Sequence, residues 1–296
     1  MLLYFFTLSL IADMNKAYEL FKNKEYMRAI NDWLPHAQEG NLDAQNGIGT
    51  AYYALKNIEK SVYWLEKAAN KGHIDAQHRL YYIYYTEYKK FDTAIRWLKL
   101  SAKGGHPKSA LMLGMKYEAG IGLDKNYDKA FFWIKKAVDL DKNDFHAKQK
   151  LGNMYYHGKG TPQNYKKAAE LYSIAAENNL PESQYYLGHM YSNGHGVEKD
   201  FSKGIRLIRK SGLNGDERGM LALGLLYLEG KIVPKNYELS YQWFDKAAKK
   251  GSWKGYFMVA LHYYAGLGKE KDFTTMVSYL LESMVDIDKD IDNFND

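Results

Sequence analysis

Seven times along the chain, a small residue is followed four positions later by an aliphatic residue and eight positions later by tyrosine. The small residues are Ala44, Ala76, Ser109, Ala147, Ser183, Gly219 and Gly255, spaced 32, 33, 38, 36, 36 and 36 residues apart. A period of this length is the signature of a repeat array. Each unit is too small to bury a core alone and must stack on its neighbours.

The columns read as helix. The aliphatic column is Ile48, Leu80, Leu113, Leu151, Leu187, Leu223 and Val259. The next is Gly49, Tyr81, Gly114, Gly152, Gly188, Gly224 and Ala260. The tyrosines are Tyr52, Tyr84, Tyr117, Tyr155, Tyr191, Tyr227 and Tyr263. Offsets 0, 4, 5 and 8 share one helical face, so each unit opens with a helix, A. A mid-helix glycine costs about 1 kcal/mol relative to alanine, so its recurrence predicts close helix–helix approach. A second helix, B, follows, as in Tyr127 to Val138 and Tyr237 to Ala248, with a small pair near its end such as Ala68-Ala69 or Ala175-Ala176. Between A and B, four units carry Gly-x-Gly: Gly120/Gly122, Gly158/Gly160, Gly194/Gly196 and Gly266/Gly268.

The pattern A-x3-LG-x2-Y, then GxG, Y/F, A-x2-W and AA, recurs over roughly residues 44 to 284. It resembles the Sel-one-like repeat family, a relative of the tetratricopeptide repeats. "ALMLGMKYEAGIGLDKNYDKAFFWIKKAV", from Ala110, carries almost every mark. The resemblance implies an all-α fold, a right-handed α-solenoid of about eight antiparallel helix pairs. Residues 13–43 read as a divergent capping pair, 44–285 as seven repeats and 286–296 as an acidic tail. It also implies a non-catalytic scaffold or adaptor with a protein partner on its concave surface. Among bacterial proteins resembling this family are exported adaptors and envelope immunity proteins that block a secreted lipase or peptidoglycan-targeting effector. An accessory factor for cell-envelope enzymes is a further reading. The Lys/Asn/Tyr-rich composition suits an AT-rich, bacterial genome.

Helix A offsets 2, 6 and 9 face away from the packed stripe. They supply the candidate partner-binding residues Asn46, Tyr53, His78, Tyr82, Tyr85, Gln149, Asn153, Tyr156, Tyr185 and His189. Polar and aromatic groups of this kind suit a soluble binding surface. In the last two repeats the stripe turns aliphatic, with Leu221, Leu225, Leu228, Phe257 and Leu261. There it is either an interface or a surface covered by superhelical curl or by the helix over residues 274–285.

Other chemistry finds no foothold. There is no cysteine, so disulfides and thiolate sites are excluded. Net charge is +6 with no block of five basic residues, which argues against nucleic acid as partner. No GxxxxGK[ST], HExxH or GxSxG motif occurs, and Gly-x-Gly here follows a helix where a dinucleotide fingerprint follows a strand. Gly194-His195-Gly196 therefore reads as an inter-helix turn. The C-terminal DIDKDIDNFND resembles a calcium loop but has Ile291 where that loop needs glycine. No enzyme, cofactor or metal site is expected. The apolar run Leu2 to Ala12 is too short to span a bilayer, so no integral membrane span is expected. It matches a signal-peptide core with cleavage near Asp13, which points to a periplasmic or secreted location, although no basic residue precedes it. Otherwise it packs on the first helices of a cytoplasmic protein. The sequence leaves the oligomeric state open.

Overall fold

The computed structural model describes residues 14–295, with side chains described as far as Met284. The run Leu2–Ala12 and its leader reading lie outside these residues. Among the described residues there are sixteen helices and no strand. They fall into two compact units, up to Asn143 and from Asp144 onward. The first unit holds α1 (14–22), α2 (Tyr26–Gln38), α3 (Leu42–Ala54), α4 (Ile58–Asn70), α5 (Ile74–Thr86), α6 (Phe91–Gly104), α7 (Pro107–Ala119) and α8 (Tyr127–Leu140). The second holds α9 (Phe145–His157), α10 (Tyr165–Glu177), α11 (Pro181–Asn193), α12 (Phe201–Leu213), α13 (Glu217–Glu229), α14 (Tyr237–Ala248), α15 (Trp253–Ala265) and α16 (Phe273–Asn295). Helix A of the repeat is α3, α5, α7, α9, α11, α13 and α15; helix B is the even-numbered helix that follows each. The backbone of the acidic stretch continues α16 as helix through Asn295.

Helix starts follow from side-chain caps. Asn126, Asn164, Asp200, Asn236 and Asp272 stand directly before the B-helices, and each accepts a hydrogen bond from the backbone N–H three residues on. Such a cap is worth about 1 kcal/mol. The A-helices start on caps of several kinds: Asn41, His73, His106, Asp144, Asp216 and Ser252. The loops after A-helices close on glycines at positive φ, among them Gly194 at 75°.

Within each unit, every A-helix packs on its own B-helix, and successive pairs stack by contact of B with the next A. The aliphatic column is the core of that stack: Ile48, Leu80 and Val259 are fully buried, and Leu113, Leu151, Leu187 and Leu223 nearly so. The glycine column marks close approach. At Gly188 of α11 an added Cβ would stand 2.8 Å from the Gly204 carbonyl oxygen of α12, so the two backbones touch. The tyrosine column is only partly buried apart from Tyr155, which is buried. Its rings lie under lysines of the first B-helix turn, with Lys60 over Tyr52, Lys129 over Tyr117, Lys167 over Tyr155 and Lys203 over Tyr191 at 5.4, 5.4, 5.2 and 4.0 Å. Each cation–π contact of this exposed kind contributes about 0.5–1 kcal/mol. Buried glutamines link successive pairs. Gln45, Gln77 and Gln184 donate to the carbonyl oxygens of Ala37, Ala69 and Ala176 at the end of the preceding helix.

Candidate functional site

In the first unit, the residues singled out from sequence lie on α3 and α5. Tyr82 is 42% exposed, and its hydroxyl meets Met112 Sδ at 3.2 Å. Tyr53 donates to Glu87 at 3.2 Å. Tyr85 is half-buried, with its ring 5.1 Å from Phe91 and Lys116 Nζ 4.6 Å from its centroid. The Asn46 Oδ1 is buried and has no hydrogen-bond partner among the described residues.

His78 is the centre of a relay. Ser101 donates to the Ile74 carbonyl at 3.1 Å, which leaves its oxygen to accept from Ser109 at 2.9 Å. Ser109 must then accept from His78 Nδ1, 2.7 Å away, so the proton of the neutral imidazole sits on Nδ1. The ring stacks on His106 at 3.9 Å. Burial, then His106, Arg79 and Lys108, hold the His78 imidazole down to about 3. Two cavities meet at His78 and Arg79. One, of about 280 Å³, is walled by Thr50, Tyr53, Leu65 and Tyr82. The other, of about 370 Å³, is walled by Asp75, His106, Pro107 and Lys108.

The second unit holds a polar-aromatic network built around Glu182 of α11. Its carboxylate accepts from Gln149, from Asn153 at 3.0 Å and from Arg218 at 3.3 Å. Asn153 in turn accepts from the fully buried Tyr172 at 2.6 Å. Burial works against the Arg218 charge, but Asp216 and Glu182 outweigh it and hold the guanidinium above the usual arginine value. Arg218 also lies over the rings of Tyr185 and Tyr186, at 5.5 and 5.1 Å. Tyr156 hydrogen-bonds His189 at 3.2 Å and touches the rings of Tyr165, Tyr172 and Tyr186. Burial pushes the Tyr156 and Tyr185 hydroxyls up and the His189 imidazole down.

The structure thus brings Gln149, Asn153, Tyr156, Tyr185 and His189 into one network. One of them differs from the sequence expectation of an exposed contact. Gln149 is 7% exposed, because its amide turns inward to Glu182. Reasoning by offsets passed over Glu182, Tyr186 and Arg218, which lie one position before or three after a repeat start. The signal was present, since the helical period that gives offsets 2 and 6 also gives −1 and 3. Tyr172 comes from a B-helix and had no such signal. The aliphatic stripe stays open to solvent only in part: Leu225, Phe257 and Leu261 are exposed, Leu221 and Leu228 pack part-buried against the core, and α16 packs on α15 through Tyr279, against Tyr256 and Tyr263. His195 stacks on Tyr165 at 4.8 Å within its turn. A hollow of about 850 Å³ beside residues 197–203 is wide open to solvent. Among the described residues, no group of three His, Cys, Asp or Glu is placed to hold a metal ion, and no helix is long and apolar enough to cross a membrane.

Helix pairs packed in series within each unit define an all-α helix-pair repeat protein. The Sel1 repeat family model matches residues 43–73, 74–106, 107–142, 146–180, 181–216, 218–252 and 253–275. The chain belongs to the Sel1 repeat family. It is similar to a protective antigen of uropathogenic Escherichia coli with an SLR fold, at 25% identity and TM-score 0.74, over 92% of this chain and 61% of that one. A Sel1 repeat protein of Oxalobacter formigenes shares the fold at 23% identity and TM-score 0.54, over 86% of each chain. An uncharacterised protein of Neisseria meningitidis serogroup B is 25% identical over 182 residues, 51% of this chain and 38% of that protein. The chain therefore spans well under two thirds of the curated relative it matches. Sel1 repeat proteins act in general as protein-interaction scaffolds, typically without catalytic activity.

Proposed function

We propose that this chain is a non-catalytic scaffold that binds a protein partner on the A-helix surfaces of its units. One observation carries the reading. The aromatic side chains of those surfaces, Tyr82 in the first unit and Tyr156, Tyr185 and His189 in the second, are anchored by hydrogen bonds or ring contacts while keeping surface in water. Rings held in place lose little freedom on binding, so contact with them is not offset by ordering entropy. The test is site-specific photo-crosslinking. A benzophenone side chain at position 82 or 185 captures the partner, and one at Phe132, exposed on helix α8, does not. Equal capture from Phe132 overturns the reading.

A location in the cell envelope or outside the cell goes with it, supported by the apolar run before Asp13 and by the likeness to a protective antigen. N-terminal sequencing of exported protein then begins near Asp13. An intact Met1 in the cytoplasmic fraction rules it out.

A further inference from the structure

We propose that the two adjoining cavities of the first unit form one bipartite site for a peptide carrying a carboxylate next to an apolar side chain. The proposal rests on the A-helix face as binding surface and names what it takes there.

The larger cavity collects cationic groups from two helices. Arg79 stands on α5 and Lys108 on α7, and His78 and His106 form a stacked wall between them. Neither Arg79 nor Lys108 makes a hydrogen bond or ion pair among the described residues. The one carboxylate in the lining, Asp75, leans to His106 Nε2 at 3.7 Å. Desolvation works against the Arg79 charge, with Asp75 and Tyr18 opposing it. A cation placed this way gains from an anion that enters the cavity.

Charge arithmetic selects the anion. Two cations less one carboxylate leave a single positive charge while the histidines are neutral. A monoanion balances it, whereas a phosphate dianion overshoots and meets Asp75. The smaller cavity supplies the second half. Leu65 and Ile83 form its floor, and Tyr53 and Tyr82 its sides. His78 and Arg79 line both cavities, so an apolar side chain beside the carboxylate reaches the second cavity while the carboxylate fills the first. The carboxylate is that of an Asp or Glu side chain or of a chain terminus.

Three fluorescein-labelled heptapeptides separate these cases by anisotropy against the full chain. One is amidated with a glutamate between two leucines, one ends in leucine with a free carboxylate, and one is the amidated neutral control. At least one carboxylate peptide binds tenfold tighter than the control. Arg79→Gln or Lys108→Gln removes at least tenfold of that affinity with the helical signal unchanged, and Phe132→Ala, at an exposed ring of α8, leaves it unaltered. Which peptide binds tells side chain from terminus. Equal binding of the control, no binding of either carboxylate peptide, unchanged affinity in Arg79→Gln, or tighter binding of a phosphoserine peptide overturns the proposal. If cross-linking at position 185 still captures a partner in that case, the face reading survives alone. If both fail, both are lost.

Discussion

Replacing Glu182 with methionine keeps side-chain length and helix propensity while removing every acceptor. Three donors then lose their target: Gln149, Asn153 and Arg218. Arg218 keeps Asp216 at 2.8 Å and is part-exposed, so its loss is about 0–1 kcal/mol. Gln149 is 7% exposed, and a buried amide left without a partner costs about 1–3 kcal/mol. Asn153 is half-buried and finds water. The expected destabilisation is about 2–4 kcal/mol, part of which is loss of an acidic group from the first turn of α11, about 0.3–1 kcal/mol. A double-mutant cycle with Gln149→Met separates the two. The helix-terminus contribution is present in both backgrounds and cancels, whereas the orphaned amide disappears with Gln149. The expected coupling between the two changes is above about 1 kcal/mol, read from urea unfolding followed by circular dichroism. Coupling under about 0.5 kcal/mol would refute the network as a stabilising unit.

Four further outcomes follow from the same physics. Gly188→Ala forces a Cβ to within 2.8 Å of the Gly204 oxygen, and overpacking of about 1–3 kcal/mol outweighs a helix gain of up to about 1 kcal/mol, lowering the urea midpoint. Tyr82→Ala changes stability by less than about 0.5 kcal/mol, as for other surface sites, yet weakens partner binding. Tyr156→Ala, which strips a ring touching three others, costs about 1–3 kcal/mol, and a value near zero would put that ring outside the network. His78, His106, His189 and His262 are all held below the ordinary histidine range, chiefly by burial. The unfolded chain therefore takes up protons first as pH falls through about 6.5, and stability drops by about 1.4 kcal/mol per pH unit for each proton so gained. A midpoint that is flat between pH 7 and 4.5 would contradict this.

The helix pairs were legible because their signal is periodic and repeated. One Leu or Gly in a column means little, but Leu113, Leu151, Leu187 and Leu223 in register fix the core face of four helices. The asparagine or aspartate before each long-loop B-helix carried a capping signal just as regular, and it sets Asn126, Asn164, Asp200, Asn236 and Asp272 where the helices begin. The site was harder to read, because it is made where repeats differ. Asn153, Glu182 and Arg218 come from three successive A-helices, and no single helix shows that they converge. Nor does sequence show which way an amide turns, and that separates a buried Gln149 from a half-buried Asn153.

At four seams the start of an A-helix also meets the start of the A-helix before it, and the pairs are of more than one kind. His73 meets Asp43 and His106 meets Asp75; Arg218 meets Glu182 and Ser252 meets Glu217. The seams between repeats are thus keyed rather than uniform. A repeat moved by duplication or shuffling from a His–Asp seam to the Arg–Glu seam would bring its key to the wrong lock. The order of the repeats is thus partly written into their edges, since a His–Asp seam and an Arg–Glu seam do not interchange.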